Sequence, residues 1–330
     1  MNKSKIVASM LLCLGMTATN ANALNLKASH QFPGGKGDVR DEMVQIIARE
    51  VNAADVDIKI RVYPGSSLFK AKEQWGALTK GQLDISLFPL AYAAGRHPIF
   101  DATLMPGLVK NHDHAAKLND SAFIDVIKKE IEKAGVVVLA DSWLAGGFAS
   151  NKKCIKSPED AKGQTMRAAG KAFEKMLAKA GASIASMPSS EIYTALQTKT
   201  IDGANTSSGS FVSYRIYEQV TCLTAPGEHA LWFMYEPVLM SKKAWNRLND
   251  EQKSAITAAA QKAEDYFYEE AKGLDQKMVD AYKKAGVEVV TMSKEEADQW
   301  RAIAAETSYK SFSEAVPGGE ELINKALAVE

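Results

Sequence analysis

Apolar positions recur along this chain with two alternating periods. Residues 24–29, 58–63, 83–88 and 136–140 are short apolar or alternating runs, which predict strands. Between them, residues 39–53, 69–80 and 122–134 place apolar side chains every three or four positions. Met43, Ile46, Ile47 and Val51 thus share one helical face. Pro64-Gly65 turns the second strand, and Gly81 and Gly135 stop helices. The resulting βαβαβ order predicts α/β layers.

A second block begins near Trp143, and Gly146-Gly147 reads as the crossover into it. Ser157-Pro158-Glu159-Asp160 opens a helix, with Ser157 as N-cap and proline at the first helical position. A strand is expected at 165–168, a helix at 171–180, a helix from an N-cap at Ser190 to Gln197, and a short strand or turn at 201–204. The last third is mostly helical. Ile256, Ala260, Ala263, Phe267, Ala271, Leu274, Met278, Tyr282 and Ala285 form a stripe that predicts one helix of about 36 residues, about 54 Å long. A coiled coil is the competing reading, but the stripe is rich in alanine and the charges recur irregularly. Two blocks predict two lobes: 24–144 with 233–273, and 145–232 with 274–330.

The first 23 residues stand apart from this pattern. Lys3 and Lys5 precede an apolar run from Ile6 to Met16, and Ala21-Asn22-Ala23 supplies a small-residue cleavage pattern. The run is too short to span a bilayer, so residues 1–23 are expected to be a secretory signal and Leu24 the mature start. Removing those 23 from 330 leaves 307 residues. Charge then changes little. The chain carries 40 Lys+Arg and 40 Asp+Glu, and the signal holds two lysines and no acid. A mature balance of 38 to 40 gives no support to a polybasic nucleic-acid binder. Export also changes the reading of cysteine. Only Cys154 and Cys222 remain, in an oxidising compartment, where a bridge is favoured over two buried thiols.

The sequence carries little chemistry for conversion. His112-Asp113-His114 is an isolated H-x-H in a polar turn and does not make a metal motif. Gly34-Gly35-Lys36-Gly37 is not a phosphate loop, and no G-x-S-x-G elbow occurs. Neither a cofactor nor a metal is expected. Chemistry for holding is more evident. Arg167, on or at the end of the strand that starts the second lobe, offers a planar fork that fits a carboxylate. A surface arginine, or one paired with a nearby glutamate, is the alternative.

At these residues the chain resembles the extracytoplasmic solute-binding proteins of tripartite ATP-independent periplasmic (TRAP) transporters, the DctP type. The match runs through Val62-Tyr63-Pro64-Gly65, Gly81-Gln82-Leu83-Asp84, the segment from Ser157 to Gly163 leading to Arg167, Glu191 to Gln197, Ile201-Asp202-Gly203-Ala204, and Ser241 to Trp245. These segments are collinear over nearly the whole mature chain.

The resemblance implies a two-lobed α/β periplasmic binding protein, not an enzyme, with a long C-terminal helix spanning both lobes. It implies a ligand carboxylate held by Arg167, cleft closure, and delivery to TRAP membrane subunits. It also implies polar contacts from Asn205, Thr206 and Ser189, with Phe88 and Tyr92 lining the first lobe. Two departures stand out. Gly147-Phe148 occupy the place where many members carry a second arginine, and Asn205 stands where a glutamate is common. One strong clamp is therefore expected, not two. Trp143, Phe148, Phe211, Trp232 and Tyr235 are aromatic near the expected cleft or hinge; core packing is favoured for most of them. If even two of them face the cleft, with Trp143, Phe148 and Tyr235 the candidates, an aromatic or bulky apolar monocarboxylate is expected. An ABC-type periplasmic receptor, a ligand-sensing binding protein and, less readily, a periplasmic enzyme are the alternatives.

Overall fold

The computed structural model describes residues 23–330; the expected signal lies almost wholly outside the described residues. Two sheets organise the chain. The first contains β1 (Leu24–Ser29), β2 (Ile58–Tyr63), β3 (Ile85–Leu87), β4 (Val136–Ala140) and β11 (Val238–Ser241), in the order β2-β1-β3-β11-β4. β1 pairs in parallel with β2 and β3, and β11 runs antiparallel to β3 and β4. The second contains β5 (Trp143–Ser150), β6 (Thr165–Ala168), β7 (Ser183–Ser186), β8 (Gly203–Ser207), β9 (Cys222–Thr224) and β12 (Glu288–Val290), with β10 (Trp232–Tyr235) paired to β5.

Helices cover these sheets where the apolar period placed them. Val39–Ala53 buries Met43, Val44, Ile47 and Val51, and Asp38 caps it by accepting from the Arg40 amide. The 69–80 stretch divides into a 3-10 turn, Ala71–Glu73, and a helix, Gln74–Lys80. The expected strand at 83–88 is shorter. Asp84 turns its side chain back to the Lys27 amide, and the Phe88 amide bonds to Pro237 outside the ladder. Ser190 is not an N-cap: a 3-10 turn, Ser189–Glu191, runs directly into the helix Ile192–Gln197. The long helix spans Asp250–Lys284 and opens with a reciprocal Asn249–Gln252 cap. Its buried stripe is the expected one with two differences: Ala259 is buried as well, and Ala285 ends the helix as its C-cap.

The long helix carries the chain between the sheets once, from β11 to β12, and two short crossings lie at Asp141–Ser142 and at Glu236–Pro237. The two short crossings are stitched together: the Glu236 amide donates to the Ser142 carbonyl at 2.9 Å and the Ser142 hydroxyl to the Glu236 carbonyl at 2.5 Å. Gly146 and Gly147 are not the crossover but interior positions of β5. A Cβ on Gly146 would lie 2.0 Å from the Thr206 carbonyl oxygen, and one on Gly147 would lie 2.1 Å from that of Thr224. Close backbone approach, not a turn, demands glycine there. β10 lies wholly in the second sheet. Cys154 and Cys222 form a disulfide that ties the loop after β5 to β9, with a Cα separation of 5.1 Å.

Candidate functional site

Arg167 occupies the third position of β6, between β7 and β8. The Ser157–Asp160 capping box starts the short helix before this strand, and the Asp202 carboxylate holds the Thr165 amide at 2.9 Å. The guanidinium is 1% exposed. Its Nε donates to the Met187 carbonyl at 2.9 Å, Nη1 to the Asn205 carbonyl at 2.6 Å, and Nη2 to the Tyr92 hydroxyl at 2.9 Å. All three acceptors are neutral. Among the described residues Arg167 makes no ion pair, although it is a fully buried cation. A guanidinium has five N–H donors, so one remains on each terminal nitrogen.

Tyr92 reaches this point from the first lobe, on the 3-10 turn Leu90–Ala93 that follows β3. Its oxygen also accepts from the Ser189 amide at 3.0 Å. Both lone pairs are therefore engaged, and the phenolic proton remains to be donated. Phe88 meets the Tyr92 ring edge-on at 6.2 Å. Tyr214 extends the cluster. Burial holds its phenol well above the usual range, while Arg40 and a bond to Ser189 pull it down. Its hydroxyl donates to the Gln31 carbonyl at 2.9 Å.

Gln31 is the residue that sequence reading missed. It lies just past the end of β1, is 1% exposed, and neither its amide nitrogen nor its amide oxygen has a protein partner. Buried polar atoms are nearly always bonded, so such a side chain points to an external partner. One signal was available: a polar residue at the carboxyl end of a parallel strand, where open α/β sheets place their ligands.

Other expected residues are placed differently. Thr206 and Asn205 point to opposite faces of β8. Register puts Thr206 beside Gly147, on the face shared by Arg167, and puts the Asn205 side chain beside Phe148. Asn205 nevertheless serves Arg167 through its main-chain oxygen, and its own side-chain amide is fully buried and, like that of Gln31, without a protein partner at either end. Phe148 stacks on Trp300 with ring centroids 5.6 Å apart. Trp143 and Tyr235 pack together at 4.9 Å; the indole nitrogen donates to Asn119, and the Tyr235 hydroxyl bonds the Asp141 carboxylate. These three rings are buried and packed against other side chains, as are Phe211 and Trp232. The backbone approach at Gly147 also leaves no room for a second arginine.

A second buried cation lies nearby with its charge already matched. Arg40 gives Nε and Nη2 to the Asp38 carboxylate, at 2.9 and 2.7 Å. Its Nη1 reaches Glu236 at 3.2 Å and the hydroxyls of Ser207 and Ser210 at 3.0 Å. Burial would raise the Asp38 carboxyl, but Arg40 more than offsets this and holds it low. At Glu236 burial outweighs Arg40 and the carboxyl is held high. This network joins the first helix to the second sheet across the strand crossings.

The H-x-H segment serves structure. His112 pairs with Asp275 at 2.9 Å, and His114 bonds the Lys110 amide and the Ala326 carbonyl. Among the described residues, the one grouping with metal-ligand spacing is Cys154, Cys222 and Glu288, whose sulfurs are in the disulfide. No helix of the described residues is long and apolar enough to cross a membrane.

Two α/β lobes joined by paired crossings, a long helix against both, and a buried cation with neutral partners between them define a two-lobed solute-binding receptor. The model for bacterial extracellular solute-binding protein, family 7 (DctP), matches residues 41–315, and the chain belongs to this extracytoplasmic family. It is 37% identical over 320 residues to a solute-binding protein of Albidiferax ferrireducens, covering 96% of this chain and 94% of the relative. It is 27% identical to the 2,3-diketo-L-gulonate-binding periplasmic protein of Escherichia coli, covering 88% of each. A TRAP periplasmic solute-binding protein of Rhodoferax ferrireducens, solved with bound malonate, superposes with a TM-score of 0.87 at 38% identity, over 91% of this chain and 96% of that one. These relatives are binding receptors, not enzymes.

Proposed function

We propose that this protein captures a small organic acid outside the cytoplasm by pairing the acid's carboxylate with Arg167, closes its lobes on it, and delivers it to TRAP membrane subunits. One observation carries the reading: a fully buried guanidinium bonded only to neutral acceptors, with one N–H spare on each terminal nitrogen. Burying a charge without a counter-ion is costly, and a ligand carboxylate removes that cost. Tyr92 joins Arg167 and Ser189 across the lobes, so the clamp is complete only when the lobes are together. Closure then depends on differential affinity for that state.

On this reading Ser189, Thr206, Tyr92 and Gln31 line the ligand, with Phe88 behind Tyr92. Residues 1–23 direct export to the periplasm. Malonate, bound in the Rhodoferax ferrireducens relative, is a first probe. Two charge-assisted hydrogen bonds contribute roughly 1.5–3 kcal/mol each. Arg167→Ala should therefore weaken acid binding by about 100-fold or more in isothermal titration calorimetry, with the circular dichroism spectrum unchanged. Unchanged affinity in that variant removes Arg167 from the mechanism.

A further inference from the structure

We infer that the site accepts an acid with a single buried carboxylate, and that the rest of the ligand's polar surface there is neutral, a hydroxyl or amide group that pairs with the Gln31 side chain. This rests on the Arg167–carboxylate reading and goes beyond it to the charge of the substrate.

Four buried charged side chains lie in and beside the clamp, Asp38 and Glu236, Arg40 and Arg167, with Glu236 near enough to Arg167 to feel its charge; the buried His30 ring and Asp41 carboxylate, next to Gln31, are 3.1 Å apart and pair with each other. Arg40 is bonded to both Asp38 and Glu236. Arg167 is bonded to none. It offers its two spare N–H groups, beside the free phenolic proton of Tyr92, to one carboxylate group. A second ligand carboxylate would find no further unmatched cation among these buried groups, and would approach the field of Asp38 and Glu236. Gly147 closes the place where another arginine could stand, because the Thr224 carbonyl fills the position of its Cβ.

What remains for the ligand's other end is neutral. From Arg167 hydrogen bonds run through the Tyr92 hydroxyl to the Ser189 amide; the Tyr214 hydroxyl, close to Ser189, donates to the main-chain carbonyl of Gln31. The side-chain amide oxygen and nitrogen of Gln31 are both buried and both without a protein partner. A carboxamide presents one acceptor and two donors. A hydroxyl or amide on the ligand can satisfy both of its ends. A carboxylate, which only accepts, would leave the Gln31 oxygen unpaired and bury a second charge.

Matched acids that differ only at the second end test this directly. Malonate is compared with its monoamide, and succinate with its monoamide, by calorimetry at pH 7.5. In each pair where binding is measured, the monoamide is expected to bind at least 10-fold more tightly. Gln31→Leu, checked for folding by its melting curve, is expected to reduce that preference to less than about threefold. Tighter binding of either diacid by the wild-type protein overturns the inference, whether or not the variant folds. That failure is distinguishable from failure of the carboxylate clamp. In the first case Arg167→Ala still abolishes diacid binding. If neither member of either pair binds, or if binding survives Arg167→Ala, the clamp falls and this inference with it.

Discussion

At the scale of single residues, the site depends on how many hydrogen-bonding positions each group has left after folding. Tyr92 shows this most clearly. Its oxygen accepts from Arg167 and from the Ser189 amide, one partner in a strand and one in a turn of the opposite lobe. Tyr92→Phe keeps the edge contact with Phe88 and removes both bonds. It is expected to weaken acid binding by about 10-fold, the equivalent of about 1.4 kcal/mol, chiefly through faster release measured by stopped-flow fluorescence. Arg167 stood out in the sequence as a candidate, because it follows a capped helix within a recognisable collinear motif. Gln31 did not. An unpaired amide is defined by the partners it lacks, and those depend on which distant segments fold against β1. The paired residues Asn205 and Thr206 were legible as a pair only. Strand alternation sends them to opposite faces, and the register against β5 decides which one shares a face with Arg167.

At the scale of elements, apolar periodicity was a sound guide wherever one face alone is buried. The helix Val39–Ala53 and the stripe of the helix Asp250–Lys284 followed directly from spacing. Spacing did not foresee that Gly146-Gly147 lies inside a strand, since glycine marks close backbone approach as well as turns. The five aromatic residues expected near the cleft or hinge also show the limit. All are buried: Trp143 and Phe148 occupy opposite faces of one strand, and Tyr235 packs with Trp143 over Asp141. The disulfide is the covalent counterpart of this strand pairing. It closes a 68-residue separation and fixes the β9 edge against the end of β5. On the chain-entropy model such a loop is worth about 4 kcal/mol. Replacing both cysteines by serine should lower the melting temperature by several degrees in calorimetric scans, while leaving acid affinity within about threefold, because no sulfur touches the Arg167 cluster.

At the scale of the whole molecule, folding buries groups that open solvent would keep charged. A cavity of about 130 Å³ lies where Pro98, Asp101 and Met105 of the first lobe meet Lys171 and Lys175 of the second and the C-terminal segment around Ser308 and Phe312. Burial lifts the Asp101 carboxyl from an ordinary 3.8 to about 6, against the pull of Lys171 and Lys175. The folded value lies above the unfolded one. Its contribution to stability is therefore complete below about pH 3.8 and lost as pH rises through about 6. Glu264, raised by burial to about 7, adds the same sign. Asp101→Asn should accordingly raise the melting temperature at pH 7.5, and the gain should shrink toward zero as the pH falls to 4. A gain of equal size at both ends would mean that the effect is not electrostatic. Sequence alone determined the α/β class, the long helix and the disulfide candidates, because each follows from local period, residue type or a short collinear motif. Tertiary structure alone decided which polar groups Arg167 spends its donors on, which face of β8 turns toward it, why no second arginine fits at Gly147, and that the Gln31 amide is left without a protein partner. Those are properties of segments far apart in the chain, and hydrogen-bond saturation is settled only when such segments meet.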